Sequence, residues 1–111
     1  MTLNLRLSFV SIDPRLAARW HLTERDRATL LGFEMDEPEN RSLTDDQERR
    51  ISYLLGIFTR LHDILGPTDL ADTWVRRPNS DFDGDTPLDR MLTGGVDGLA
   101  FVRSYVDRWA T

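Results

Sequence analysis

Hydrophobic residues recur along most of this chain at the three- and four-residue spacing of an amphipathic helix. The longest run, TDDQERRISYLLGIFTRLHDIL at residues 44–65, puts Ile51, Leu54, Leu55, Phe58, Leu61 and Leu65 on one stripe. Thr44 stands before it as an N-cap, acids fill its first turn, and Gly66-Pro67 ends it. Upstream, Asp13-Pro14 reads as an N-cap with proline at the first helical position of RLAARW, which ends near His21. Thr23, with Asp26 three residues on, caps a second short helix that runs through Leu30 and Leu31 to Gly32. Downstream, TDLADTWVRR predicts a helix broken by Pro78, and a last helix from about Val96 to Trp109 carries Leu99, Val102, Val106 and Trp109 on one stripe, with Phe101 and Tyr105 beside it.

Two segments break the helical pattern. FEMDEPEN is acidic, contains Pro38 and reads as a loop or a single helical turn. TLNLRLSFV alternates Leu3, Leu5, Leu7 and Phe9 with polar residues, the period of a half-buried strand. A lone strand in an all-α chain has no internal partner, so it would pair across a dimer or lie as an extended arm on a neighbour. A disordered or helical N-terminus is the other possibility. The expected fold is all-α: residues 1–42 form an N-terminal arm with short helices, and residues 43–111 form a C-terminal helical part.

Composition and charge narrow the function. At 111 residues and 40% hydrophobic content the chain buries one modest core. It has no cysteine, which removes disulfides, thiolate metal sites and cysteine nucleophiles. No apolar run approaches the roughly 20 residues of a membrane span, and MTLNLRLSFV lacks the charged start and long apolar core of a signal peptide. A soluble, cytoplasmic protein without a membrane partner is expected. The net charge of -5 disfavours nonspecific binding to nucleic acid. All 14 basic residues are arginine, which reflects either genome composition or the use of arginine for planar bidentate contacts at interfaces.

The aspartate-rich stretch PNSDFDGDTPLD at residues 78–89 invites comparison with a calcium loop. An EF-hand loop needs glycine at its sixth position and a bidentate glutamate at its twelfth. Starting at Asp81 puts Thr86 and Leu92 there, and starting at Asn79 recovers Gly84 but puts Arg90 at the end. Helix initiation accounts for more of the residues: Gly84 makes a turn, Thr86 is the N-cap, Pro87 is the first helical residue and Asp89 takes the capping-box position. His21 and His62 are far apart, with no nucleophile or ligand set at a useful spacing. The carboxylates cluster at helix starts, where capping explains them. No catalytic, metal or cofactor site is expected.

The run WVRRPNSDFDGDTPLDRMLTGG, preceded by DDQERRISYLLGIF, resembles the toxin-binding domain of Xre/ParS/MbcA-type antitoxins, which pair with RES-domain toxins. The resemblance rests on Trp74 followed by Pro78-Asn79, on Gly84 followed by Thr86-Pro87-Leu88, and on the Thr93-Gly94-Gly95 turn. Upstream, Trp20, Leu22, Thr23 and Leu30-Leu31-Gly32 look like the first two helices of the family's helix-turn-helix. Family members usually continue into a basic recognition helix, whereas FEMDEPENRSL offers Glu34, Asp36, Glu37 and Glu39 against Arg41 alone. An acidic element there would be repelled by the phosphate backbone, so the N-terminal part reads as a degenerate helix-turn-helix. Its helices would then serve mainly for dimerisation.

The resemblance implies a non-catalytic antitoxin that neutralises an NAD-consuming RES-domain toxin by sitting over its active site, within a complex containing an antitoxin homodimer. Contacts to the toxin are expected from Trp74, Arg76, Arg77, Pro78 and Asn79 and from Arg103, Tyr105, Arg108 and Trp109 of the last helix, an aromatic and arginine mixture typical of interface hot spots. Each has a plainer use: Trp74 and Trp109 as core, Arg76 and Arg77 as cations at a helix C-terminus, Asn79 as a local turn partner. Two further readings stay open. One is a DNA-binding autoregulator, with a basic face drawn from Arg15, Arg19, Arg25, Arg27 and Arg41, and the other is a helical scaffold dimer.

Overall fold

Local side-chain chemistry sets where the helices begin. A computed structural model describes residues 14–33, 43–66 and 69–109. Among them lie six α-helices: α1 Pro14–Arg19, α2 Glu24–Leu31, α3 Asp45–Leu65, α4 Asp69–Thr73, α5 Pro87–Thr93 and α6 Gly95–Trp109. The described residues contain no strand, and the fold is all-α. Residues 3–9, where the alternating pattern lies, are outside the described residues, as is FEMDEPEN from Glu34 onward.

The capping predictions at Thr23 and Thr44 are met with two bonds each, while Asp13, the N-cap expected before Pro14, lies outside the described residues. Thr23 Oγ1 accepts from Asp26 N at 3.0 Å and Asp26 Oδ2 accepts from Thr23 N at 3.1 Å. Thr44 and Gln47 repeat the arrangement at the head of α3. Gln47 then works twice, because its Nε2 donates to Gly32 O at 3.0 Å and so closes the C-terminal end of α2. Arg50 adds a bond to Thr29 O at 3.3 Å. The first two turns of α3 therefore supply donors to the carbonyls that end α2.

The inward stripe of α3 takes in Ile57, which its sequence reading left out, and moves three residues of that reading to its edge. Ile51, Leu54, Ile57 and Leu61 are buried, while Leu55, Phe58 and Leu65 are half-buried at its margin. α6 faces this stripe with Leu99, Val102 and Val106, all fully buried. Trp20 of the turn after α1, Leu30 and Leu31 of α2, Val75, Phe82, Leu88 and Met91 complete a single core.

The helix predicted over 68–77 tightens at Trp74 into a 3-10 turn, Trp74–Arg76. Pro78 is the cause. It has no N–H to offer the Trp74 carbonyl four residues back, and it holds Arg77 in an extended conformation, φ -96°, ψ 133°. Arg77 N bonds Trp74 O instead, at 3.2 Å. α5 and α6 meet at Gly94-Gly95, where Gly95 takes φ 62°. A Cβ at Gly94 would lie 2.8 Å from Gly98 Cα, so the two helices approach there backbone to backbone.

Candidate functional site

The loop before α5 is built around Asn79. Its N–H donates to Asp85 O at 3.0 Å, its carbonyl accepts from Phe82 N and Gly84 N, and its Oδ1 accepts from Asp81 N at 2.9 Å. Asn79 is thus the local turn partner that one of its two readings proposed. A short 3-10 turn, Ser80–Phe82, follows, with Asp83 and Gly84 in the left-handed region at φ 58° and 88°. Thr86 Oγ1 accepts from Asp89 N at 3.0 Å and Pro87 is the first residue of α5, as the helix-initiation reading requires, but the Asp89 carboxylate does not return the capping-box bond to Thr86 N.

That loop drives Phe82 into the core, and a connected set of rings spreads outward from it. Phe82 lies 4.9 Å from Tyr105 and 5.4 Å from Phe101 between centroids. Trp74 lies 6.3 Å from Phe82, 6.0 Å from Tyr105 and 5.3 Å from Trp109, and Tyr105 lies 5.3 Å from Trp109. Burial falls across the set. Phe82 is fully buried, Trp74 and Tyr105 are half-buried, and Phe101 and Trp109 remain 42% and 38% exposed. Aromatic rings left partly in water on one helix face are what a protein surface presents to a partner.

Charged groups order this surface. The Tyr105 hydroxyl donates to Asp81 Oδ2 at 2.6 Å; this bond, aided by burial, raises the tyrosine pKa above its ordinary 10.0. Arg90 of α5 donates to Phe82 O at 3.0 Å, pairs with Asp83 and Asp85, and places its guanidinium 5.6 Å from the Phe82 and Phe101 centroids. At the far end Arg108 lies 5.9 Å over the Tyr105 ring.

The expected toxin-contact residues divide into two groups. Trp74, Asn79, Tyr105, Arg108 and Trp109 come together here, with Pro78 exposed beside them. Arg77 is exposed too, and its guanidinium makes no hydrogen bond or ion pair among the described residues. Arg76 is used differently. Its Nε donates to Trp20 O and its Nη2 to His21 O, each at 2.8 Å, so it caps the end of α1. Arg103 turns toward α3, where it pairs with Asp107 and lies across Gly56, beside a shallow groove of about 280 Å³ that also includes Leu55, Thr59, Arg60 and Asp63. Phe101 and Arg90 belong to the surface although sequence reading did not assign them to it. The signal for Phe101 was its position four residues before Tyr105 and eight before Trp109.

The candidate DNA-facing cations are scattered in use. Arg19 pairs with Asp72 at 3.2 Å, Arg27 buries its Nε, Arg15 and Arg25 are exposed, and Arg41 lies outside the described residues. His62 is held between Phe58 O, 2.8 Å from Nδ1, and Asp72 Oδ1, 3.1 Å from Nε2. Among the described residues no three His, Cys, Asp or Glu side chains are grouped to hold a metal, and no helix is long and apolar enough to cross a membrane.

Residues 60–111 match the family described as the antitoxin Xre/MbcA/ParS C-terminal toxin-binding domain. The chain belongs to this antitoxin family. The matched segment holds every ring of the surface described above, from Trp74 to Trp109. The antitoxin chain is also 37% identical over 99 residues to the uncharacterized protein y4oB of Sinorhizobium fredii (strain NBRC 101917 / NGR234), an alignment covering 84% of this chain and 77% of the relative. No solved structure gives a significant match.

Proposed function

We propose that this protein is the antitoxin of a type II toxin-antitoxin pair and that it neutralises a RES-domain, NAD-consuming toxin by covering its active site. It acts by binding, without catalysis, in the cytoplasm, as a homodimer within a larger complex. The observation that carries the reading is the half-exposed aromatic face of α6, joined to Trp74 and lying wholly within the matched toxin-binding segment. Residues 1–42 form the second part of the chain in this reading, a degenerate helix-turn-helix used chiefly for self-association. Autoregulatory DNA binding is the weaker alternative, because Arg19 is neutralised by Asp72 and Arg27 turns its Nε inward.

The test is co-purification with the product of the adjacent reading frame, followed by an NAD-consumption assay of that partner alone and in complex. The expected result is consumption by the free partner and none by the complex. Arg77→Glu combined with Trp109→Ala should release the toxin and leave the far-UV helix signal intact. A partner that binds but keeps its full activity would sink the active-site reading.

A further inference from the structure

The outward face of α6 has a charge order as well as an apolar centre. Asp97, Phe101, Ser104, Tyr105, Arg108 and Trp109 follow one another at helical spacing, so they form one face along the helix. All are exposed except the half-buried Tyr105. At the Phe101 end lie Asp97, and Asp83 and Asp85 around Arg90, which itself packs on the Phe101 ring. Asp81 is bonded to Tyr105, between the two ends. The Phe101 end therefore sets one arginine against three aspartates. At the other end stand Arg108, over the Tyr105 ring, and Arg77, three residues beyond the Trp74 that packs on Trp109.

We infer that this face accepts its partner in one orientation only. The occupant is a groove of the toxin whose cationic side chains meet the aspartates near Phe101 and whose carboxylates meet Arg108 and Arg77. The inference rests on the reading of α6 as the toxin contact and adds the chemistry of the opposing surface. The aromatic centre supplies affinity once water is excluded. The charged ends set register and the rate of encounter, because charge complementarity steers association and penalises the reversed alignment. A face with aromatic rings alone would tolerate sliding by one helical turn, since Phe101, Tyr105 and Trp109 repeat every four residues.

The test uses the full chain and the purified product of the adjacent reading frame, with association and dissociation followed by surface-immobilised kinetics at low and high salt. Two charge variants are compared: Asp83→Asn with Asp97→Lys, and Arg77→Glu with Arg108→Glu. Each should slow association about tenfold or more at low salt, with the difference shrinking as salt screens the charges. Phe101→Ala should act mainly on dissociation. Charge-neutral versions, Asp97→Asn and Arg108→Gln, guard against misfolding and should show smaller losses of the same sign. If the wild-type chain binds and Phe101→Ala weakens it, but the aspartate variant associates as fast as wild type or faster, the charge order is wrong while the α6 contact stands. If wild-type chain binds and neither Phe101→Ala nor Trp109→Ala matters, the α6 reading fails and takes this inference with it.

Discussion

Gly98→Ala tests whether the close approach of α5 and α6 holds the C-terminal part together. Glycine inside a helix is about 1 kcal/mol worse than alanine, so on propensity alone the substitution stabilises. Geometry opposes it. The added methyl would overlap the Arg90 carbonyl oxygen and lie 3.2 Å from the Arg90 carbonyl carbon, both parts of a backbone that cannot swing aside. That oxygen already accepts from Gly94 N at 2.9 Å, so moving it loosens a bond worth about 1 kcal/mol. Forcing the helices apart adds an overpacking cost of about 1–3 kcal/mol. The helix gain and the lost bond roughly cancel, leaving a net destabilisation of about 1–3 kcal/mol.

Gly56→Ala is the matched control. It has the same propensity gain, but the obstacle is the Arg103 guanidinium, the far end of a side chain that can rotate away. Displacing it weakens a half-exposed pair with Asp107 worth about 0–1 kcal/mol, so this variant should stay within about 1 kcal/mol of the parent. Urea denaturation followed by far-UV circular dichroism compares the midpoints at equal slope. A Gly98→Ala protein as stable as the Gly56→Ala protein would refute the argument that backbone contact, rather than helix propensity, decides this position.

Three further outcomes are expected. Tyr105 has a folded-state pKa above 10.0, so the stability it contributes is present below pH about 10 and is lost as pH rises through the folded value. The urea midpoint of Tyr105→Phe should accordingly fall less steeply than that of the parent above pH 10, and identical slopes would disprove the link. Arg76→Ala removes two charge-assisted bonds to the end of α1 and should cost about 1–3 kcal/mol in thermal unfolding with partner affinity retained, whereas Arg77→Ala should lower affinity with stability retained. Phe82→Ala empties a fully buried site at the root of the aromatic set and should cost about 3–5 kcal/mol, and a loss under 1 kcal/mol would mean that the surface rings do not depend on it.

What could be read from sequence was what is decided within a few residues. Thr23 with Asp26, Thr44 at the head of α3, and Thr86-Pro87 are local motifs whose bonds span three residues, and each appears where its spacing predicts. The 3-10 turn at Trp74 was implicit in Pro78 but hidden by the apolar spacing, which fits an α-helix equally well up to Arg77. Arg76 and Arg77 look alike in sequence, and only carbonyls more than fifty residues upstream separate them. Arg103 was grouped with Tyr105 and Trp109 because all share α6. Two positions from Tyr105 is about 200° around the helix, which turns it to Asp107, Arg60 and Gly56 instead. Tertiary partners of this kind leave no signal at short range.

In the proposed reading one helix carries two separable functions, and the separation is angular. Leu99, Val102 and Val106 face the core and α3, where each fully buried aliphatic side chain contributes about 1.5–3 kcal/mol to holding the fold. Phe101, Tyr105 and Trp109 point the other way, where the partly wet rings add little to folding until something covers them. Trp74 and Phe82 couple the two sides, since they touch the outer rings while Phe82 sits in the core. A substitution on the inner face should therefore change stability and recognition together. One at the exposed Phe101 or Trp109 should change recognition alone, and one at Phe82 should lose both, because the rings above it would no longer be held in register.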